Sequence, residues 1–525
     1  MAGNNNWDAT VEEAYDTLRE SFNSGKTRDL EWRRQQLKQF RKMIFEQKKF
    51  FQTCLQCDLH KSHEEGYLME INPVMHEIQN CIDHLDEWTA PTTKGVNILN
   101  LPGKCALYKD PLGVVLVAGA WNYPINLTLS PMAGAIAAGN CIMVKVPSSK
   151  YSQKSAHGMA EMIHKYLDTD CIRVIEGDRH AMTAVLKQRY DKICFTGGTF
   201  VGKIVARAAA EHLTPIALEL GGKSPVIVDK DINIDVAAKR ICWASFLNSG
   251  QTCIRPDYCM VDASIADEFI KKCKTALIDM FGKDASQSDY FGRLVNDRAW
   301  VRVKDLIDDS TCYVSYGGNY KRDEKYVEPT LLDFKTDYSA FSSSSIMGQE
   351  IFGPVLPIFR YNDLDVAINH INSGEKPLVA HVFTSKSKVR DRVLTETSSG
   401  GACVNDAILH LSNDALPFGG VGNSGMGRYH GKYTFDMFTH EKSVLIKYFF
   451  GDLPQRYPPY SGSFQMTLLN VLQYPFEAFH IRLFQLILLV LAVVCASRVG
   501  WLEIYIRPFI KAVLEYLLGY TQGPW

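Results

Sequence analysis

The chain has 525 residues, 46% of them hydrophobic and 22% charged, the balance of an ordinary globular protein and not of a disordered one. That length exceeds what one hydrophobic core serves, so two or three domains are expected. A net charge of −1 excludes the basic field that nucleic acid requires, and 14 cysteines spread over such a chain lack the dense pattern of a secreted disulfide scaffold.

The opening segment, residues 1–7, has neither a basic region nor an apolar run, so no secretory leader is expected. Glycine at position 3 instead of 2 does not fit N-myristoylation. Residues 8–60 place Leu30, Leu37, Phe40, Ile44 and Phe51 at helical spacing and are predicted to be helix. Cys54, Cys57, His60 and His63 recur every third residue there. Structural zinc sites draw their ligand pairs from separate segments, so no metal is expected. A second helix is predicted over 73–88, and the Pro, Gly and Thr breakers of 91–111 predict a loop or hairpin.

From residue 112 the rhythm changes. Strands are predicted over 113–118, 141–147, 172–175 and 192–195, separated by helix-compatible residues 130–139 and by helices over 152–167 and 179–188, with a further helix over 199–211. This alternation predicts a parallel α/β sheet. A second α/β series starts near Glu219 with a strand over 224–228 and a helix over 235–249, and it runs to about residue 403. Residues 404–445 are Gly-rich and then aromatic, and no internal repeat is present.

The tail is different in kind. Tyr457-Pro458-Pro459-Tyr460 signals a linker, and residues 483–496 are apolar except for Gln485. That run is shorter than the roughly 20 residues of a spanning helix. Extension to Ile506 takes in Arg498 and Glu503. Membrane attachment is expected, either spanning or lying in the interface, with an amphipathic helix for oligomer contact as the alternative. The closing Gly523-Pro524-Trp525 is neither an ER-retention nor a peroxisomal signal.

The chemistry centres on Asn248-Ser249-Gly250-Gln251-Thr252-Cys253. A cysteine among small polar residues, just after a glycine, is set for access, and its thiolate is a nucleophile. Upstream lie Glu219-Leu220-Gly221-Gly222-Lys223 and Trp121-Asn122-Tyr123-Pro124. A nucleophile, a carboxylate and an amide donor are three parts of covalent acyl chemistry. Phe195-Thr196-Gly197-Gly198-Thr199, Gln349-Glu350-Ile351-Phe352-Gly353-Pro354 and Pro417-Phe418-Gly419-Gly420-Val421-Gly422 complete the set.

These six segments, in this order and spacing, resemble the aldehyde dehydrogenase superfamily, and most closely its class 3 branch, which includes fatty aldehyde dehydrogenase. The resemblance runs from about residue 10 to residue 445. It implies two doubly wound, Rossmann-like parallel-sheet domains: a cofactor-binding domain over 1–90 and 111–218, and a catalytic domain over 219–403. It also implies a small β oligomerisation element over 91–110 and 404–445, a hydrophobic tail over 446–525, and a homodimer. Cys253 would attack the aldehyde, Asn122 would face the resulting oxyanion, and Glu219 would activate the water that hydrolyses the thioester, with Glu350 as rival base. Asn122 also fits a turn residue, and Glu219 a buried salt-bridge carboxylate.

The cofactor expected is NAD or NADP, and the residues leave both open. No Gly-x-Gly-x-x-Gly follows a strand. Instead Gly197, Gly198, Thr199 and Gly202 form the turn that would face the pyrophosphate, with Gly198 where the family more often has Ser. By the same resemblance Lys145 would contact the adenine ribose, and Glu350 with Phe352 the nicotinamide ribose. Lys145 equally fits a solvated strand-end charge, and Glu350 with Phe352 a turn carboxylate beside a core aromatic. Arg255 stands where relatives usually carry a small residue. A cation there would favour the Cys253 thiolate, and the alternative is a solvent-facing side chain. The resemblance implies oxidation of medium- to long-chain aliphatic aldehydes by a cytosol-facing enzyme attached through its tail, with the endoplasmic reticulum as the expected membrane. The alternatives are a soluble-type aromatic aldehyde dehydrogenase and a catalytically idle structural relative.

Overall fold

The computed structural model describes residues 6–97 and 100–450, together with 456–459 and five helical positions within 485–491. Nine of the fourteen residues of the apolar run 483–496 therefore lie outside the described residues. Among those described, no helix is long and apolar enough to cross a membrane.

Met1–Pro91 with Tyr108–Lys442 form one compact unit, and Thr92–Leu107 with the residues from Ser443 onward form a second. The first unit holds two α/β sheets. In the six-stranded sheet the spatial order is Gly425–Met426, Ile216–Glu219, Lys192–Thr196, Val114–Ala118, Cys141–Lys145, Ile172–Ile175. All its pairs are parallel except the first, where Gly425 lies opposite Glu219. The chain winds one way from Val114–Ala118 and returns on its other side as Lys192–Thr196, so the carboxyl ends of those two strands open a crevice at the switch point. Val114–Ala118 and Cys141–Lys145 are buried on both faces, which is why they read as continuous apolar runs.

The seven-stranded sheet is ordered Val314–Tyr316, Thr330–Asp333, Val355–Tyr361, Tyr258–Asp262, Pro225–Val228, Val379–Phe383, Gly401–Val404, and only its first pair is antiparallel. The expected α/β architecture of parallel sheets is therefore present. A separate three-stranded sheet takes Thr92–Lys94, Gly103–Pro111 and Thr439–Lys447, with Thr92 opposite Leu107.

Two local expectations need correction. The single helix predicted over 8–60 is three helices, Trp7–Asn23, Leu30–Glu46 and Lys48–Leu59. Gly25 turns the chain at φ 82°, and Asp29 starts the next helix by accepting the N–H of Glu31. The helix predicted over 235–249 stops at Phe246, because Asn248 and Ser249 adopt φ of 52° and 53°.

Candidate active site

Asn122 lies in the turn between the strand Val114–Ala118 and the helix Pro124–Ala137, at the carboxyl edge of the six-stranded sheet. Its amide, 4% exposed, donates to the carbonyl of Gln251 at 3.1 Å. Its own carbonyl accepts from the Asn248 amide at 2.8 Å. Tyr123 reaches the same loop, with its hydroxyl 2.7 Å from the Thr252 hydroxyl. The Trp-Asn-Tyr-Pro turn is thus stitched to the cysteine loop at three points.

That loop is backbone under strain. Asn248, Ser249 and Gly250 form a left-handed run, which costs of order 1–3 kcal/mol for each non-glycine residue. Side chains hold it. Gln251 donates to the carbonyls of Asn248 at 3.0 Å and Arg293 at 2.9 Å, and accepts the N–H of Val295 at 2.9 Å. Its consequence is a half-buried thiol at Cys253, packed against Ile254, Leu378, Ile408, Phe418 and Tyr429.

The charges around that thiol correct an expectation. Burial, then the Glu350 and Glu219 carboxylates, push Cys253 up to about 12, while its own N–H and that of Ile254 pull it down. No cation offsets them. Arg255 neither electrifies the thiol nor faces solvent. It is buried and donates to the carbonyls of Gly353, of Val355 at 2.6 Å, and of Pro256 at 2.9 Å. A forked donor with carbonyls within reach on a neighbouring segment becomes a strut between the cysteine loop and the Glu350–Pro354 segment.

The two candidate bases differ in what holds them. Glu219 ends its strand at 3% exposure, and neither carboxylate oxygen has a hydrogen-bond partner. Burial alone raises it well above the carboxylate range. Glu350 lies against Gly221, where a Cβ would meet its carboxylate, and it accepts the Gly222 N–H. Burial and then the Asp257 charge raise it to about 8 against the pull of that N–H, Lys223 and Arg255. Glu350 is engaged, whereas Glu219 is free to take a proton.

At the neighbouring strand end, Gly197 donates its N–H to the Glu219 carbonyl at 3.0 Å. Gly198 starts the helix Thr199–Ala210 with no side-chain cap, and a Cβ there would meet nothing within 4 Å. The helix N-terminus therefore faces open space with its N–H groups available. Thr199 donates to the Asn423 carbonyl at 3.3 Å, and Gly202 packs directly on Leu220. Lys145 is buried, not solvated. It donates to the carbonyls of Val146 at 2.7 Å and Gly177 at 2.9 Å, and burial lowers it to about 8. Phe352, at φ 44°, meets Trp121 edge-on with ring centroids 5.5 Å apart. The two rings, with Tyr151, Arg298 and Arg302, line a cavity of about 790 Å³.

The profile of the aldehyde dehydrogenase family matches residues 4–444. The chain belongs to the aldehyde dehydrogenase family. It is similar to the rat protein "Aldehyde dehydrogenase, dimeric NADP-preferring", with 44% identity over 86% of this chain and 98% of the relative. The rat "Aldehyde dehydrogenase family 3 member A2" is 42% identical over 86% of this chain and 92% of its own length. Among solved structures, the "Substrate bound state of Staphylococcus Aureus AldH" superposes with a TM-score of 0.85 at 39% identity, covering 88% of this chain and 99% of that one. This aldehyde dehydrogenase is an NAD(P)-dependent enzyme that oxidises aldehydes.

The structure brings Cys253, Asn122, Glu219 and Glu350 to one place and sets Lys145 and the Gly197–Gly202 turn along the same sheet edge. The sequence reading missed what supports the dehydrogenase site. Lys61 and Glu70 form a fully buried ion pair at 2.6 Å directly behind Asn122. In sequence Lys61 sits in an ordinary polar stretch, and nothing distinguishes it from a solvated charge.

Among the described residues, no group of three His, Cys, Asp or Glu side chains could hold a metal ion. His60 takes a left-handed φ of 56° as the cap of the helix Lys48–Leu59.

Proposed function

We propose that this aldehyde dehydrogenase converts medium- to long-chain aliphatic aldehydes to carboxylic acids, with Cys253 as nucleophile, Asn122 as oxyanion donor and Glu219 as base. The observation that carries the reading is a thiol set in an apolar cluster beside a buried carboxyl with both oxygens unpartnered.

The steps follow from those groups. The Cys253 thiol gives up its proton to solvent water, and the resulting thiolate sulfur adds to the carbonyl carbon, moving the π pair onto oxygen. Asn122 keeps an amide N–H beyond the one given to Gln251, and it donates that hydrogen bond to the oxyanion. NAD(P), held by the Gly197–Gly202 turn, would supply the acceptor for the hydrogen and electron pair that leave carbon. In its ionised form Glu219 removes a proton from water as the water oxygen adds to the Cys253 thioester, and the C–S bond breaks to release the acid and the Cys253 thiolate. Glu350 has the raised proton affinity of a base, but its engagement with Gly222, Lys223 and Arg255 suits a holding role.

For the cofactor, the uncapped turn at Gly197, Gly198 and Thr199, kept close to the sheet by Gly202, fits a pyrophosphate. Lys145 would meet the adenine ribose, and Glu350 with Phe352 the nicotinamide ribose. This assigns the six-stranded sheet to cofactor binding and the seven-stranded sheet to catalysis. The apolar segment 483–496 supports membrane attachment of the tail, with the endoplasmic reticulum as the membrane. The dimeric name of a relative supports a homodimer, with the small β element as its contact.

The test is NAD(P)H formation by the purified full chain with hexadecanal, with short and aromatic aldehydes, and with Cys253→Ala in parallel. Turnover of hexadecanal that disappears in the variant supports the proposal. Turnover of short or aromatic aldehydes alone removes the aliphatic claim, and none from folded protein overturns the catalytic reading. Flotation with vesicles, comparing the full chain with one ending at residue 445, tests the tail.

A further inference from the structure

We propose that the buried ion pair of Lys61 and Glu70 positions the oxyanion donor Asn122. This rests on the role just assigned to Asn122. Both side chains are 0% exposed, and their charged atoms lie 2.6 Å apart. Taking two charges out of water is costly, and an apolar pair of similar volume serves stability as well, so a buried pair is weak support for a stabilising role. What distinguishes this one is where its remaining bonds go.

All of them go to one short segment. Lys61 Nζ donates to the Asn122 carbonyl at 2.8 Å and stands 3.8 Å from the centre of the Tyr123 ring. Glu70 Oε2 accepts the N–H groups of Ile125 at 3.0 Å and Asn126 at 3.1 Å, the first turn of the helix Pro124–Ala137. The pair therefore grips residues 122–126 from both ends. Glu70 is aimed there by a wide turn, Tyr67–Ile71, in which the chain adopts π-helical bonding. Such turns re-register a helix and recur at functional sites. The Met69 carbonyl in the same turn accepts from the Asn126 side chain at 3.2 Å.

The grip reaches the reacting group through Asn122 itself. Its carbonyl takes both Lys61 and the Asn248 amide, and its amide is bonded to the Gln251 carbonyl. Rotation of the 122–123 peptide would break the Lys61 and Asn248 bonds together, so the pair fixes the backbone from which the Asn122 amide reaches the cysteine loop. Lys61 and Glu70 are positioning residues, because every bond given to them ends on Asn122, Tyr123, Ile125, Asn126 or each other.

The experiment is a double-mutant cycle on the full chain with Lys61→Met, Glu70→Gln and Asn122→Ala, reading the single-turnover rate of acylation, the KM for NAD(P) and the Tm. Each of the first two variants is expected to slow acylation about 100-fold, the cost of a displacement near 1 Å, with the KM for NAD(P) unchanged. In the Asn122→Ala background they are expected to cost nothing further. Lys61→Arg and Glu70→Asp keep the charges and fold, and Lys61→Arg is expected to recover part of the rate. Additive losses, or wild-type acylation in Lys61→Met or Glu70→Gln, overturn the proposal. If the single variants do not fold, Lys61→Met/Glu70→Met removes both charges, and wild-type acylation in it, or in Glu70→Asp, has the same force. Full activity in Asn122→Ala while Cys253→Ala is dead removes the role of Asn122, an outcome distinct from failure of the pair alone.

Discussion

Gly202 packs so closely on Leu220 that a Cβ at position 202 would lie 2.7 Å from Leu220 Cδ2. Gly198, four residues earlier at the start of the helix, would place a Cβ with nothing within 4 Å. The two glycines therefore answer differently to substitution. Gly202→Ala is expected to cost about 1–3 kcal/mol as an overpacked contact. It also pushes the helix Thr199–Ala210 off the sheet and weakens NAD(P)H binding, read by fluorescence titration. Gly198→Ser is expected to change stability by only a few tenths of a kcal/mol, in the favourable direction, because Ser is the better N-cap.

Glu219→Gln separates catalysis from stability. On the base role proposed for Glu219, the variant is expected to release one burst of NAD(P)H and then slow by about 100-fold to 10,000-fold. Stability moves the other way. Burial raises the native Glu219 well above its ordinary 4.5, so the native state holds a proton that the unfolded chain has lost. Native stability then falls as pH rises above about 4.5. The variant has no such loss, so its Tm advantage is expected to grow from acid to neutral pH in calorimetric scans. A constant difference across that range would contradict the assignment.

The Cys253 thiol, pushed up to about 12, is expected to be sluggish in the resting enzyme. Alkylation by iodoacetamide, with Cys253→Ala subtracted as background, should accelerate about tenfold per pH unit through neutrality, in step with the thiolate fraction. Glu350→Gln removes one of the two carboxylates that oppose ionisation. Because Glu350 itself titrates at about 8, the variant should gain reactivity only above that pH.

Arg255→Met tests the strut. It takes the guanidinium from the Val355 carbonyl and leaves the Gly353 carbonyl only the N–H of Val355 at 2.8 Å, with each charge-assisted bond lost costing about 1.5–3 kcal/mol. A loss of about 2–5 kcal/mol in urea unfolding is expected, together with a higher KM for NAD(P) as Phe352 loses its support. Arg255→Lys should recover little, because an ammonium cannot reach both carbonyls as a fork does.

These outcomes show where the sequence was legible. The alternation of strands and helices from residue 112 specified two parallel sheets because their strands are buried on both faces and the turns between them are short. Cys253, Asn122 and Glu219 stood out because each sits in a short peptide with few physical uses, and the structure brings the three side chains together. Arg255 was not, since a cation beside a thiol reads as electrostatic until carbonyls one hundred residues away are seen to claim it. Lys61 and Glu70 were invisible for a related reason. A π-helical turn breaks the 3.6-residue spacing, so no periodicity pairs them. The end of the helix before Cys253 was misplaced because the left-handed Asn248 and Ser249 are imposed by Asn122, Gln251 and Arg293, not by local preference.

That left-handed corner also orders events in time. It is held by Asn122, by Arg293 through Gln251, and by Gly353, beneath whose carbonyl only Gly250 fits, so its restraints come from three distant stretches of chain. Contacts so far apart in sequence form late, and a strained corner cannot persist before they do. Cys253, the proposed nucleophile, is thus among the last features to mature when the protein renatures. Recovered turnover should lag recovered helicity, which makes activity the stricter reporter that a molecule has finished folding.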